Sequence, residues 1–403
     1  MKPRPLAFVA VVALVASACG SSSSTTGPQV VKIGVELPLS GGEAPNGGPT
    51  LNGIQLAINQ IQVPGYTVQL NTQDDAVNGV NNPDQGAKNI GTLVSDSQVF
   101  AVVGPFNSAV AKAEIPVSNE AGLIQCSPAN TNSTLTLGDP AKALRQAHPD
   151  QIAYVRVVAN DDFQGLADAI IAYKDLGKKS MYIVDDQTTY GKYLADVVQA
   201  QFTKMGGKVV KRDGAGANVS DYTSLLTAAK ALSPDVVFYG GVTSTGGGVL
   251  RKQMVANGMG DLPFVGGDGI SDGAASVASS FLNIAGDQGD LNTWMTTAGA
   301  HDIPDRATLA AAYQAAFGKE LGAYSAAAYA CTQVYLEALK AVGPDRAKVR
   351  AYVTDTTHTF NTVLGPISFD ANGDINQEII SYFQFDPSTK DWKFVRQNDP
   401  TKA

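Results

Sequence analysis

Three residue patterns in the chain have types and spacing that could do chemistry, and each would need different surroundings. Gly269-Ile270-Ser271-Asp272-Gly273 matches the G-x-S-x-G elbow that presents a nucleophilic serine, and Asp302 and His358 follow in hydrolase order. The match uses common residue types, and the preceding Gly266-Gly267-Asp268 explains the same loop without a nucleophile. A serine hydrolase using Ser271 is therefore a remote alternative. His148, His301 and His358 are scattered, with no i, i+4 pairing and no acid cluster at ligand spacing, so no metal is expected. The run Gly240-Gly241-Val242-Thr243-Ser244-Thr245-Gly246-Gly247-Gly248 lacks both G-x-G-x-x-G and a G-K-[ST] ending, and is not read as a phosphate loop. No cofactor is expected.

More promising are polar groups placed where strands end. Ser108 follows Val103-Gly104-Pro105-Phe106-Asn107 and stands where the N-cap of the next helix belongs. Its hydroxyl either caps that helix or joins the free backbone N–H groups in holding an anion. Ser127-Pro128-Ala129-Asn130-Thr131-Asn132 leaves another strand as a polar loop, since Pro128 bars regular continuation. Asp268 sits among glycines after Pro263-Phe264-Val265. It either satisfies its own turn or makes a charge-assisted hydrogen bond to an ammonium group.

Elements that would position these groups alternate along the chain. Strand candidates are Val31–Leu37, Thr67–Asn71, Phe100–Val103 and Gly122–Cys126, with helices at Thr50–Gln62, Asp84–Ser95 and Ala109–Glu120 between them. A second series opens near Tyr154–Val158 and continues with strands at Ser180–Val184, Lys208–Lys211, Val236–Tyr239 and Phe264–Val265. Such alternation predicts parallel sheets with right-handed crossovers, and two doubly wound lobes rather than one sheet. Helices return at Ala307–Phe317 and Ser325–Ala341, and a strand-rich tail follows from Gly365 to Val395. That tail must join a sheet already built, so the chain crosses between lobes more than once, near Val155–Asn160, Thr293–Gly299 and Leu364–Ser368. In open parallel sheets ligands lie beyond the carboxyl ends of the strands, and two such edges facing each other make a cleft.

The amino terminus reads as an address. Lys2 and Arg4 precede an apolar run from Leu6 to Ala16, far shorter than the ~20 residues of a membrane span. Ala16-Ser17-Ala18-Cys19 and a Gly/Ser/Thr stretch follow, which resembles the lipobox of bacterial lipoproteins. That resemblance implies a signal peptide at 1–18, lipidation of Cys19 and a flexible tether at 19–29. The chain carries 29 Lys and Arg against 37 Asp and Glu, a formal net charge of −8. Without basic runs, nucleic acid is not a partner.

Taken in order, Glu36-Leu37-Pro38-Leu39-Ser40-Gly41, Val102-Val103-Gly104-Pro105, Ser127-Pro128-Ala129-Asn130-Thr131, Asp186-Gln187-Thr188-Thr189-Tyr190-Gly191 and Phe264-Val265-Gly266-Gly267-Asp268-Gly269 resemble the leucine/isoleucine/valine-binding proteins. Val363-Leu364-Gly365-Pro366-Ile367-Ser368-Phe369-Asp370 matches a further landmark, and the likeness spans Val30–Val395. The resemblance implies an α/β, type I periplasmic-binding-protein fold: two doubly wound parallel-sheet lobes around a ligand cleft, with three hinge crossovers. Lobe 1 would be 30–155 and 299–363, and lobe 2 156–298 and 364–403. It implies a monomeric, extracytoplasmic solute receptor that hands an amino acid to an ABC permease, touching the membrane only through its lipid. A ligand-sensing receptor of the same fold, for another small carboxylate or amide, is the alternative.

Carried over by residue, the ligand α-carboxylate would meet Ser108 and Thr131, and the α-ammonium would meet Asp268 and the Ala129 carbonyl. Tyr190 would close from the second lobe, and Phe106 would supply an apolar wall. Aliphatic ligands come first on this reading. Two aromatic positions of the family read here as Asn46 and Val242, and its glutamate reads as Asp268. Glu36, ending the first strand, is expected to be solvated. The resemblance also implies that the helix bearing Cys331 packs on the lobe that holds Cys126. Spacing leaves their pairing open, and two buried free thiols are the expectation.

Overall fold

The computed structural model describes residues 27–216 and 219–403, so the signal-like segment, Cys19 and most of the 19–29 tether lie outside the described residues. Five strands form the first sheet: β1 (Gln29–Leu37), β2 (Tyr66–Asp74), β3 (Val99–Val103), β4 (Gln125–Ser127) and β5 (Tyr154–Arg156). Their order is β2-β1-β3-β4-β5, and every pairing is parallel. Val31, Ile33, Val35, Leu37 and the whole of β3 are buried, as befits central parallel strands covered on both faces. The crossovers are α1 (Ala44–Gln60), α2 (Pro83–Ser95) and α3 (Ser108–Ala121). The stretch near Tyr154–Val158, read above as opening a second series, instead supplies the edge strand of this first sheet, paired with β4.

The second sheet holds β6 (Ser180–Asp185), β7 (Lys208–Gly214), β8 (Val236–Gly240), β9 (Phe264–Gly266), β10 (Thr293–Thr297), β11 (Ile380–Asp386) and β12 (Asp391–Asn398), in the order β12-β11-β10-β9-β8-β6-β7. From β7 to β10 it is parallel, but β11 runs antiparallel to β10 and β12 antiparallel to β11. The strand-rich tail, expected to join a sheet already built, thus adds to the second one in antiparallel fashion. A tight turn at 387–390 joins β11 to β12, and only antiparallel neighbours can be joined so briefly. Helices α4 (Asp161–Ile170), α5 (Thr189–Lys204) and α6 (Gly247–Ala256) belong to this lobe.

The chain passes between the sheets after β5, after β10 and before β11. Between the last two passages, α7 (Arg306–Phe317) and α8 (Ser325–Val342) pack against α1. Glycine at position 53 permits this: a Cβ there would collide with the Ser325 carbonyl. Tyr335 of α8 donates to the Val102 carbonyl at 2.9 Å, seating the helix on the first sheet. Cys331 then lies with its Cα 5.7 Å from that of Cys126, and the two form a disulfide. The expectation of two free thiols is overturned, because helix–sheet contact over a sequence separation of 205 is invisible in local spacing.

One group of acids has no route to solvent. Glu36, Asp75 and Glu114 are fully buried, held in part by Asn89 on Glu36 at 3.1 Å and Gln125 on Glu114 at 2.5 Å. Glu36 is therefore neither solvated nor in the cleft, as had been expected from its place at a strand end. Burial, then the charges of Glu36 and Glu43, push the Asp75 carboxyl up to about 10. The folded chain thus holds a proton there that the unfolded chain releases near pH 4.

Two outcomes follow from this packing. Mass measurement after alkylation without reductant will show Cys126 and Cys331 unmodified; a doubly alkylated mature chain would contradict the bridge. Stability linked to Asp75 is complete below pH ~4 and is lost as pH rises toward about 10. Asp75→Asn, which needs no proton, will raise the melting temperature clearly at pH 9 and hardly at all at pH 4. An equal shift at both values would show that the acid does not titrate with folding.

Candidate ligand-binding site

The carboxyl ends of both sheets face one cavity of about 460 Å³, part of it open to solvent. From the first lobe, Phe106 and Ser108 follow β3, Ala129 and Thr131 follow β4, and Glu43 and Asn46 follow β1. From the second, Tyr190 follows β6, Val242 and Thr243 follow β8, and Asp268 and Asp272 follow β9. Phe106, Ser108, Ala129, Thr131, Tyr190 and Asp268, singled out from sequence, therefore all line the same space. Asn46 and Val242 line it too, as does Tyr324 just before α8.

Ser108 is the first residue of α3 rather than its cap; the N-cap is Asn107, whose side chain makes no capping bond. The Ser108 hydroxyl instead accepts weakly from the Asn132 N–H at 3.4 Å. With no capping side chain, the first N–H groups of a 14-residue helix are left beside the cavity, where its dipole favours negative charge. The neighbouring loop is held from behind. Ser127 accepts from the N–H groups of Ala129 and Asn130, and Arg156 donates to the carbonyls of Asn130 at 3.3 Å and Asn132 at 2.9 Å.

Asp268 is 4% exposed and accepts from the Tyr190 hydroxyl at 2.8 Å. The same hydroxyl receives the Gly269 N–H at 3.2 Å, so it is fixed as donor to the acid. Burial pushes Asp268 up to about 6, while the Tyr190 hydrogen bond pulls it back toward the ionised form. Glycine at 269 is required here, since a Cβ would meet the Gly241 carbonyl. Asp186 braces the same lobe by accepting from Thr188 at the start of α5 and from Thr245 beyond β8, at 2.6 and 2.7 Å. It thereby fixes both Tyr190 and the Val242–Thr243 turn.

Two acids of the cavity wall were missed in the sequence. Glu43 accepts from Asn81 at 2.6 Å, Asn107 at 2.8 Å and Ser244 at 2.9 Å. Asp272, read above only as part of a serine motif, is pushed up to about 7 by burial. The available signal was position alone, because both follow strand ends. The hydrolase arrangement is not assembled: His358 contacts Glu337 at 2.7 Å, and the Asp302 backbone is tied to Gln397. Among the described residues, hydrogen bonds across the cleft include those from Asn132 to the Thr189 carbonyl (2.6 Å), Ser244 to Glu43 and Tyr324 to the Asp268 carbonyl (2.9 Å).

Two α/β lobes, crossed three times by the chain and enclosing one cavity at their facing strand ends, define a bilobal solute receptor of the type I class. The model of the periplasmic binding protein family matches residues 30–386, and the chain belongs to that family. It is a solute-binding protein and not an enzyme. It is 30% identical over 350 residues to the Leu/Ile/Val-binding protein homolog 2 of Brucella abortus, covering 85% of this chain and 87% of that protein. Among solved structures it is similar to a leucine-binding protein of Thermotoga maritima, at 26% identity and a TM-score of 0.79 over 93% of this chain and 100% of that one. A solute-binding protein of Rhodopseudomonas palustris in complex with 3,4-dihydroxybenzoic acid shares the fold at 22% identity and a TM-score of 0.74, covering 93% and 99% of the two chains. Among the described residues no helix is long and apolar enough to cross a membrane.

Proposed function

We propose that the protein captures a free amino acid outside the cytoplasm and delivers it, chemically unchanged, to the permease of an ABC importer. One observation carries this reading: a single cavity presents an anion-favouring wall from one lobe and a buried carboxylate from the other. The α-carboxylate lies against the first N–H groups of α3 with the Ser108 and Thr131 hydroxyls. The α-ammonium meets Asp268 and the Ala129 carbonyl, and returns Asp268 to its ionised form. Tyr190 and Phe106 enclose the ligand between the lobes. The names of the Brucella and Thermotoga proteins support an amino-acid ligand. A hydroxybenzoate brings O–H donors but no cation, and would leave the buried Asp268 charge without a counter-ion. Lipidation of Cys19, with the following residues as tether, keeps the monomeric receptor beside its permease.

Calorimetry with amino acids and 3,4-dihydroxybenzoate tests the reading. Binding of at least one amino acid and none of the benzoate is expected; silence across the amino acids would sink the assignment. Asp268→Asn keeps the shape but removes the charge, and should cost about 1.5–3 kcal/mol, at least a tenfold loss of affinity. Ser108→Ala should cost about 1 kcal/mol, since the backbone donors remain. Neither variant should melt much earlier than the parent when ligand-free. A structural turn aspartate predicts the reverse, an early-melting variant with unaltered affinity. The anchor is tested separately: the exported protein partitions into detergent, and Cys19→Ser should leave it in the aqueous phase.

A further inference from the structure

Ser108, Thr131 and Asp268 leave one wall of the cavity without a role. That wall carries Glu43, Asn107, Thr243 and Asp272. Asp272 is 5% exposed; its Oδ1 accepts from the Phe281 N–H at 2.8 Å, while its Oδ2 is buried with no partner. Thr243 is 6% exposed and stands beside Asp272, where its hydroxyl draws that acid back toward the ionised form without reaching full hydrogen-bond geometry. Asn107 spends its Nδ2 on Glu43, which fixes the amide so that its Oδ1 is the free end, again buried and unpaired. Asn107 Oδ1 and Asp272 Oδ2 thus lie on one wall without a full hydrogen bond, with the Thr243 hydroxyl beside the latter, and both oxygens accept. Buried acceptors left dry are costly, so such a set marks a place meant to receive donors.

Charge points the same way. Glu43, Asp268 and Asp272 line the cavity, and among the described residues no Lys, Arg or His lines it with them. An α-amino acid brings one ammonium, which Asp268 takes, and one carboxylate, which α3 takes. Glu43 and Asp272 then remain without a counter-charge. Phe106 and Tyr324, packed edge to face at 4.7 Å, add aromatic rings that attract cations as well as apolar groups.

We propose, resting on the amino-acid reading above, that the wall formed by Glu43, Asn107, Thr243 and Asp272 receives a cationic ligand side chain bearing several N–H donors, so that the preferred ligand is a basic amino acid. A planar guanidinium suits two acceptors and a hydroxyl in one wall, and an ammonium supplies three donors as a point charge. An aliphatic side chain at that wall would exclude water from these acceptors and return no hydrogen bond. The preference therefore departs from the aliphatic ligand that the family resemblance places first.

Calorimetry on the mature protein with L-arginine, L-lysine, L-glutamine and L-leucine decides it. Arginine or lysine is expected to bind at least about tenfold more tightly than leucine. Leucine binding as tightly as both basic amino acids, or more tightly, would overturn the proposal and leave the amino-acid reading intact. Failure of all four, and of the remaining amino acids, would overturn that reading as well. Asp272→Asn keeps an oxygen for the Phe281 N–H, and should shrink the basic-over-leucine affinity ratio at least fivefold, roughly the effect of losing one charge-assisted bond. Glu43→Gln gives a second, independent measure on the other lobe. A ratio unchanged in both variants would also overturn the proposal.

Discussion

A guanidinium with no exposed surface must place its N–H groups on acceptors, and Arg156 organises the hinge by doing so. Its Nε donates to Asp374 at 2.7 Å, one terminal nitrogen reaches the Asn130 and Asn132 carbonyls, and the other reaches Thr136. Burial, the largest single influence, lowers its pKa, but the Asp374 charge, Tyr154 and the Asp374 hydrogen bond together hold it above its ordinary value. Arg156 closes β5, where the chain first leaves the first sheet, and Asp374 lies in the segment by which it last returns to the second. The loop carrying Ala129 and Thr131 is bound between them. One buried ion pair therefore sets the anion-favouring wall and two crossovers at once. Removing either partner would strand a charge, which in buried pairs costs about 3–5 kcal/mol.

With the hinge defined, the cleft bonds decide how the lobes meet. Asn132, Ser244 and Tyr324 each give one hydrogen bond across it; neutral bonds such as the first and last contribute about 0.5–1.5 kcal/mol apiece, and one to a carboxylate such as Glu43 about 1.5–3 kcal/mol. Such a sum is modest beside the entropy of two lobes moving freely. A ligand that touches α3 in one lobe and Asp268 in the other adds interactions that exist only when the lobes are together. It shifts the population toward closure without needing to deform either sheet.

Much of this could be read from the residues, and what escaped has a common cause. Strand ends followed by Ser108, Thr131, Tyr190 and Asp268 are local signals, and the cavity gathers all four. Glu43 was hidden because α1 begins at Ala44 with Pro45, Gly47, Gly48 and Pro49 in its first turns, a composition that reads as loop. Gly47 is there for contact rather than freedom: a Cβ would meet the Pro38 carbonyl. Glu36 was expected to be solvated because it ends a strand, yet it is fully buried, with the Asn89 amide on its carboxyl. The Cys126–Cys331 bridge and the antiparallel tail depend on contacts more than two hundred and about ninety residues distant, respectively, and period-based reading has no access to those.

Behind Asp268 the second lobe stacks Asp161 and Asp168, and their order explains why Asp268, rather than either of these two, meets the ligand's ammonium. Asp161 and Asp168 are fully buried, and burial first, with the Asp268 charge adding to it, raises both well above the carboxylate range. Asp168 receives only the Thr296 hydroxyl at 2.8 Å, and neither Asp161 oxygen has a hydrogen-bond partner. Asp268 differs in having the Tyr190 phenol on its carboxylate and the Tyr324 phenol on its own carbonyl. Those donors keep it near 6 where its neighbours are driven higher. At neutral pH the ionised form therefore belongs chiefly to Asp268, and the acids behind it favour their protons. Of this buried stack, the negative charge is thereby held at the cavity surface, with the ligand rather than the protein supplying its counter-ion.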